Sequence, residues 1–86
     1  MSRDIEQIVE RLIAEIPGVQ VRQFRPAHLA DDNGLWFIKS PGRAGEIQIE
    51  SSDGSCPFII ESDFSDAIQH GQSIEEVVTT IKKLFD

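Results

Sequence analysis

Residues 46–62 read Glu46-Ile47-Gln48-Ile49-Glu50-Ser51-Ser52-Asp53-Gly54-Ser55-Cys56-Pro57-Phe58-Ile59-Ile60-Glu61-Ser62. Apolar residues alternate over 46–50 and a second apolar run fills 58–60, which is the pattern of two paired strands. Asp-Gly between them suits a two-residue type I′ turn, so the segment predicts a hairpin with Asp53-Gly54 as its loop. Such a loop fixes the register. Ile49 then faces Phe58 and Ile47 faces Ile60, forming one apolar face. The other face pairs Glu50 with Pro57, Gln48 with Ile59 and Glu46 with Glu61. Pro57 has no N–H to donate, which predicts an edge position for the fourth strand at that end. Glu46 opposite Glu61 would be a mildly unfavourable like-charge pair.

Working back from the hairpin, residues 40–45 read as a turn and 35–39 as another strand. A four-residue turn at 41–44 carries the register onward. Trp36 and Ile38 join Ile47 and Ile49, Lys39 faces Glu46, and Leu35 and Phe37 fall on the opposite face beside Ile59. A turn of odd length would exchange Trp36 with Phe37, leaving one large aromatic on the second face in either case. Coverage of that face by the loop at 26–34 is the alternative to an exposed apolar group. Asp31-Asp32-Asn33-Gly34 supplies the turn chemistry of that loop. Val19 and Val21 alternate as a first strand, and Phe24 falls out of phase, which suggests a bulge or the strand's end before Pro26.

The flanks are helical. Ile5, Ile8, Val9, Leu12, Ile13 and Ile16 recur at helical spacing, with Asp4 and Gln7 as a candidate cap and Pro17-Gly18 as the stop. Ile74, Val77, Val78, Ile81, Leu84 and Phe85 make a second stripe. It opens on a Ser73/Glu76 capping box and closes on Lys82 and Lys83, which complement the helix dipole. Residues 63–72 read as a connector. The stretch Gly71-Gln72-Ser73-Ile74-Glu75-Glu76-Val77-Val78 resembles the helix start of HicB-type antitoxins over eight residues. That family's fold opens with a strand and this chain with a helix, so its function is not carried over. The expected architecture is one α+β domain over 1–86, in the order α-β-β-β-β-α. It is a four-stranded antiparallel meander with two helices packed on one face, and Leu12, Ile13, Ile47, Ile49, Val78 and Ile81 share its core.

Composition narrows the function. The 86 residues carry a net charge of −7, and 40% are hydrophobic, which argues for a folded chain rather than a disordered one. Charge is uneven. Residues 1–30 balance four acids against four arginines, whereas 31–86 set eleven acids against four bases. No basic residue falls between Arg43 and Lys82. This balance excludes a nucleic-acid surface, which needs clustered Lys and Arg. No apolar run approaches a membrane span and the N-terminus lacks a signal-peptide stretch, so a cytoplasmic protein is expected. His28 and His70 have no second histidine at ligand spacing, and His28 with Asp31 and Asp32 reads as a polar loop. Cys56 lacks a neighbouring base, and no glycine spacing marks a nucleotide site. No catalytic, metal or cofactor residues are therefore expected.

The leading expectation is a non-enzymatic protein-binding module, an adaptor or an immunity-like inhibitor, meeting a basic protein partner. Its candidate surface comprises Glu46, Glu50, Glu61, Asp63 and Asp66 with the apolar group Leu35, Phe37 and Ile59. Two other classes stay open. One is a ligand-binding or enzymatic module with a pocket between sheet and helices, and the other is a structural homodimer, so that the chain is a monomer or a weak homodimer.

Overall fold

The computed structural model describes residues 3–23, 34–51 and 54–85. The bulge expected at Phe24, most of the loop at 26–34 with His28, Asp31 and Asp32, and Asp53 of the expected turn lie outside the described residues. The elements are α1 (Asp4–Glu15), β1 (Gln20–Gln23), β2 (Leu35–Lys39), β3 (Ile47–Glu50), β4 (Phe58–Ser62), β5 (Ser65–Gly71) and α2 (Ile74–Phe85). The strands pair antiparallel in chain order, β1-β2-β3-β4-β5. The class is α+β as expected, but among the described residues the sheet has five strands rather than four. Residues 65–71 of the expected connector form the additional strand, which pairs Phe58 with Gly71, Ile59 with His70 and Ile60 with Gln69. This makes β4 an inner strand, and Pro57 lies just outside it.

Alternation sends Trp36 and Ile38 of β2, Ile47 and Ile49 of β3, and Phe58 and Ile60 of β4 to one face. There they are buried with Ile5, Ile8 and Leu12 of α1 and Val77, Val78 and Ile81 of α2 in one cluster. Trp36 and Phe58 meet edge to face, with ring centroids 6.2 Å apart. The β2–β3 register places Trp36 opposite Ile49 and Ile38 opposite Ile47, as the even-length turn requires. Ile13 does not join this core. It is 60% exposed, on the flank of α1 away from the Ile5–Ile8–Leu12 line.

The β3–β4 register differs from the two-residue hairpin by two positions. Ile49 faces Ile60, Ile47 faces Ser62, Gln48 faces Glu61 and Glu50 faces Ile59. The reason is that the connection is the longer segment 51–57, which serves α1. Ile5 N donates to Gly54 O at 2.9 Å and Cys56 N donates to the Asp4 carboxylate at 2.9 Å. Arg3, not Asp4, occupies the N-cap, and among the described residues its side chain makes no capping hydrogen bond. The loop carbonyl at Gly54 supplies the acceptor for a helix-start N–H instead. At α2 the expected cap is present, with Glu76 N donating to Ser73 Oγ at 3.1 Å.

An ionic bridge joins the helices. Arg11 pairs with Glu15 at 2.7 Å and with Glu75, and Lys82 Nζ pairs with Glu15 at 2.8 Å. Hydrogen bonds from Lys82 first and Arg11 second hold the Glu15 carboxyl below its ordinary value. A group depressed in this way stabilises the folded state above its unfolded pKa, and that contribution is lost as pH falls through the folded value. Urea melts between pH 6 and acid pH should therefore show a steeper acid decline for the wild type than for Glu15→Gln. Equal slopes would remove the bridge from the acid response.

Candidate interaction surface

Both helices pack on one face of the sheet, and alternation sends the intervening residues to the other. The open face carries Arg22 of β1, Leu35, Phe37 and Lys39 of β2, Gln48 and Glu50 of β3, Ile59 and Glu61 of β4, and Ile68 and His70 of β5. Leu35 and Phe37 are half-buried, while Ile59 is 37% exposed and Ile68 is 59% exposed. The expected group of Leu35, Phe37 and Ile59 thus shares this face, and β5 extends it with Ile68. Glu50 is flanked across the ladder by Leu35 on one side and Ile59 on the other.

The acids divide into two sets. Glu46 is not opposite Glu61. Its carboxylate lies 3.8 Å from the Arg22 guanidinium, which itself stacks 4.8 Å over the Phe37 ring. Local neutralisation therefore does occur, delivered from β1 across β2, where a gap in basic residues along the sequence cannot reveal it. Asp63 is tied to the same turn. Its carboxylate accepts from Glu46 N at 2.9 Å, and its own N–H donates to Glu46 O at 3.1 Å. Glu50, Glu61 and Asp66 are exposed and make no ion pair among the described residues. Asp66 lies where the β4–β5 register shifts, between the Ile60 and Ser62 pairings. Arg22, Ile68 and His70 are members of the surface that sequence reasoning missed. The signal available for the last two was the even spacing of Asp66, Ile68 and His70.

At one end of the open face, Glu50, Ser51, Ser55, Cys56, Pro57, Ile59 and His70 line a groove of about 500 Å³. The Cys56–Pro57 peptide in it is cis. Burial foremost, then the charge and hydrogen bond of Asp4, pushes the Cys56 thiol up to about 11. Cys56 is thus protonated at neutral pH and supplies no thiolate nucleophile there. A second groove, of about 260 Å³, is lined by Gly18, Gln20, Lys39, Ser40, Pro41, Gly42 and Arg43. The Arg43 side chain is engaged elsewhere, stacked 4.8 Å over Phe64 with Nη2 donating to Leu84 O at 3.4 Å. Among the described residues no three of His, Cys, Asp and Glu gather into a metal-binding group, and no helix is long and apolar enough to cross a membrane.

Compared with protein families, curated proteins and solved structures, the chain finds no match.

Proposed function

We propose that this protein is a non-enzymatic binding module, of adaptor or inhibitor type, that meets a protein partner through the open face of its sheet. One observation carries the reading. Among the described residues the helices cover a single face, and the other face sets Leu35, Phe37, Ile59 and Ile68 among Glu50 and Glu61, which make no ion pair there. Apolar area of this kind favours association once water is excluded, and the carboxylates select a partner carrying basic side chains. The Glu46 carboxylate is paired with Arg22 of β1 and the Asp63 carboxylate accepts from Glu46 N, so Glu50, Glu61 and Asp66 are the acids left for recognition. The reading includes a cytoplasmic location, in keeping with the one cysteine, Cys56, held as a thiol.

The test compares affinity capture by the wild type and by an Ile59→Asp/Ile68→Asp variant, with thermal melts as a folding control. Both side chains are exposed, so the variant should fold while losing the captured protein. A folded variant that retains the same stoichiometric partner would move the interface off this face.

A further inference from the structure

The groove of about 500 Å³ at the end of the open face is built on one row of the sheet. Glu50 of β3 stands opposite Ile59 of β4, and Ile59 stands opposite His70 of β5. At roughly 4.8 Å between neighbouring strands, the row spans about 10 Å. Ser55, Cys56 and Pro57 bound its loop side. The lining is therefore a carboxylate at one end, an apolar floor in the middle and an imidazole at the other end. None of the described residues lining it is Lys or Arg. Other carboxylates reach it as well. Burial foremost, then the charge and hydrogen bond of Asp4, then the charge of Glu76, push up the Cys56 thiol on its wall. Arg3 comes close to Gly54 but does not line the groove, and it pairs with Glu6 at 3.9 Å. An apolar channel that ends on a carboxylate suits a long aliphatic side chain with a cationic tip.

We propose that this groove receives one arginine side chain of the protein partner, its stem lying across Ile59 and its guanidinium meeting the Glu50 carboxylate. The proposal rests on the reading of the open face as a protein-binding surface and names the group that face recognises. Glu50 is exposed and makes no ion pair among the described residues, so the guanidinium displaces water rather than an existing partner. Arginine is preferred to lysine for three reasons. Its planar fork meets a carboxylate through two parallel hydrogen bonds, it is more weakly hydrated than an ammonium, and it stacks on rings such as that of His70. The second groove, lined by Lys39 and Arg43, repels the same group.

The test titrates a blocked glycine-arginine-glycine peptide into isotope-labelled protein and follows the backbone amides by NMR. Shifts should saturate with a Kd on the order of 1 mM, as suits a single contact, and concentrate at Glu50, Cys56, Ile59 and His70. The same peptide carrying citrulline keeps the shape and loses the charge, and it should bind about fivefold more weakly. Glu50→Gln should weaken the arginine peptide by a similar factor. Glu61→Gln is the control, since Glu61 shares the face but does not line the groove, and its Kd should stay within about twofold of the wild type. The citrulline comparison uses the wild type alone and therefore decides the matter even if Glu50→Gln melts early. Shifts that are absent, that fall equally on Glu61 and Asp66, or that are undiminished by citrulline or by Glu50→Gln would each overturn the proposal. A lysine peptide binding as tightly as the arginine one would overturn the choice of arginine. Failure here is distinct from failure of the face. If the peptide does not bind but the captured partner is still lost from Ile59→Asp/Ile68→Asp, the face stands and the arginine in the groove does not.

Discussion

Ile49→Ala should lower the unfolding free energy by about 2–5 kcal/mol, the range for removing a buried isoleucine side chain and leaving a cavity. Ile49 is fully buried in β3, the middle strand, where Trp36 faces it on one side and Ile60 on the other. Helix side chains close the site from above, so the surrounding structure has little freedom to collapse into the space. A chain of 86 residues has a total stability of about 4–13 kcal/mol, and a loss of this size removes a large part of it. Ile13→Ala is the matched control. Its side chain is 60% exposed on a helix, so the change should stay within about 0.5 kcal/mol. Denaturant melts with unchanged m-values would measure both. A loss under about half a kcal/mol for Ile49→Ala would place that residue at the surface and reject the assignment of faces.

The faces were legible in the sequence because a strand's side chains have a period of two. The β3–β4 hairpin shows how far that reasoning reaches. Asp53-Gly54 suggested a tight loop, but the connection is longer because Ile5 and Asp4, about fifty positions earlier, take hydrogen bonds from it or give them to it. No local pattern encodes that tie. The slip it caused was two residues, an even number, so each side chain kept its face while its cross-strand partner changed. Ile13 failed for a different reason. At about 100° per residue it sits well to the side of Ile5, Ile8 and Leu12, and an apolar stripe does not state where its buried edge ends.

β5 was hidden because Ser65–Gly71 holds one β-branched residue, Ile68, among Ser, Asp, His and Gly. Its propensity is that of a loop, and its strand character comes from pairing with β4. The surface follows the same division. Leu35, Phe37 and Ile59 were placed together by alternation alone. The pairing of Glu46 with Arg22 spans two strand positions and needs the β1–β2 register, which the segment from Phe24 to Asn33 separates in sequence. A charge count along the chain could show that the acids were many, but not which of them had already been answered.

Gly71 carries the second large effect, and it concerns space rather than backbone conformation. The residue sits opposite Phe58 at the end of β5 and is buried against the first turn of α2. A Cβ there would lie 2.3 Å from Val77 Cγ2 and 3.2 Å from both the Val77 Cα and its N. The nearest atom belongs to a stiff β-branched side chain and the next two to backbone, so relief requires moving the helix itself. Gly71→Ala should cost about 1–3 kcal/mol, the overpacking range. This effect outweighs the stabilisation of about 0.4–1 kcal/mol that alanine gives by restricting the unfolded chain. The cause can be isolated by repeating the substitution in a Val77→Ala background, where Cγ2 is gone. Residues in direct contact couple by about 0.5–3 kcal/mol, so Gly71→Ala should be clearly less costly there than in the wild type. An equal cost in both backgrounds would mean that the strand–helix contact at Val77 does not set the position of α2.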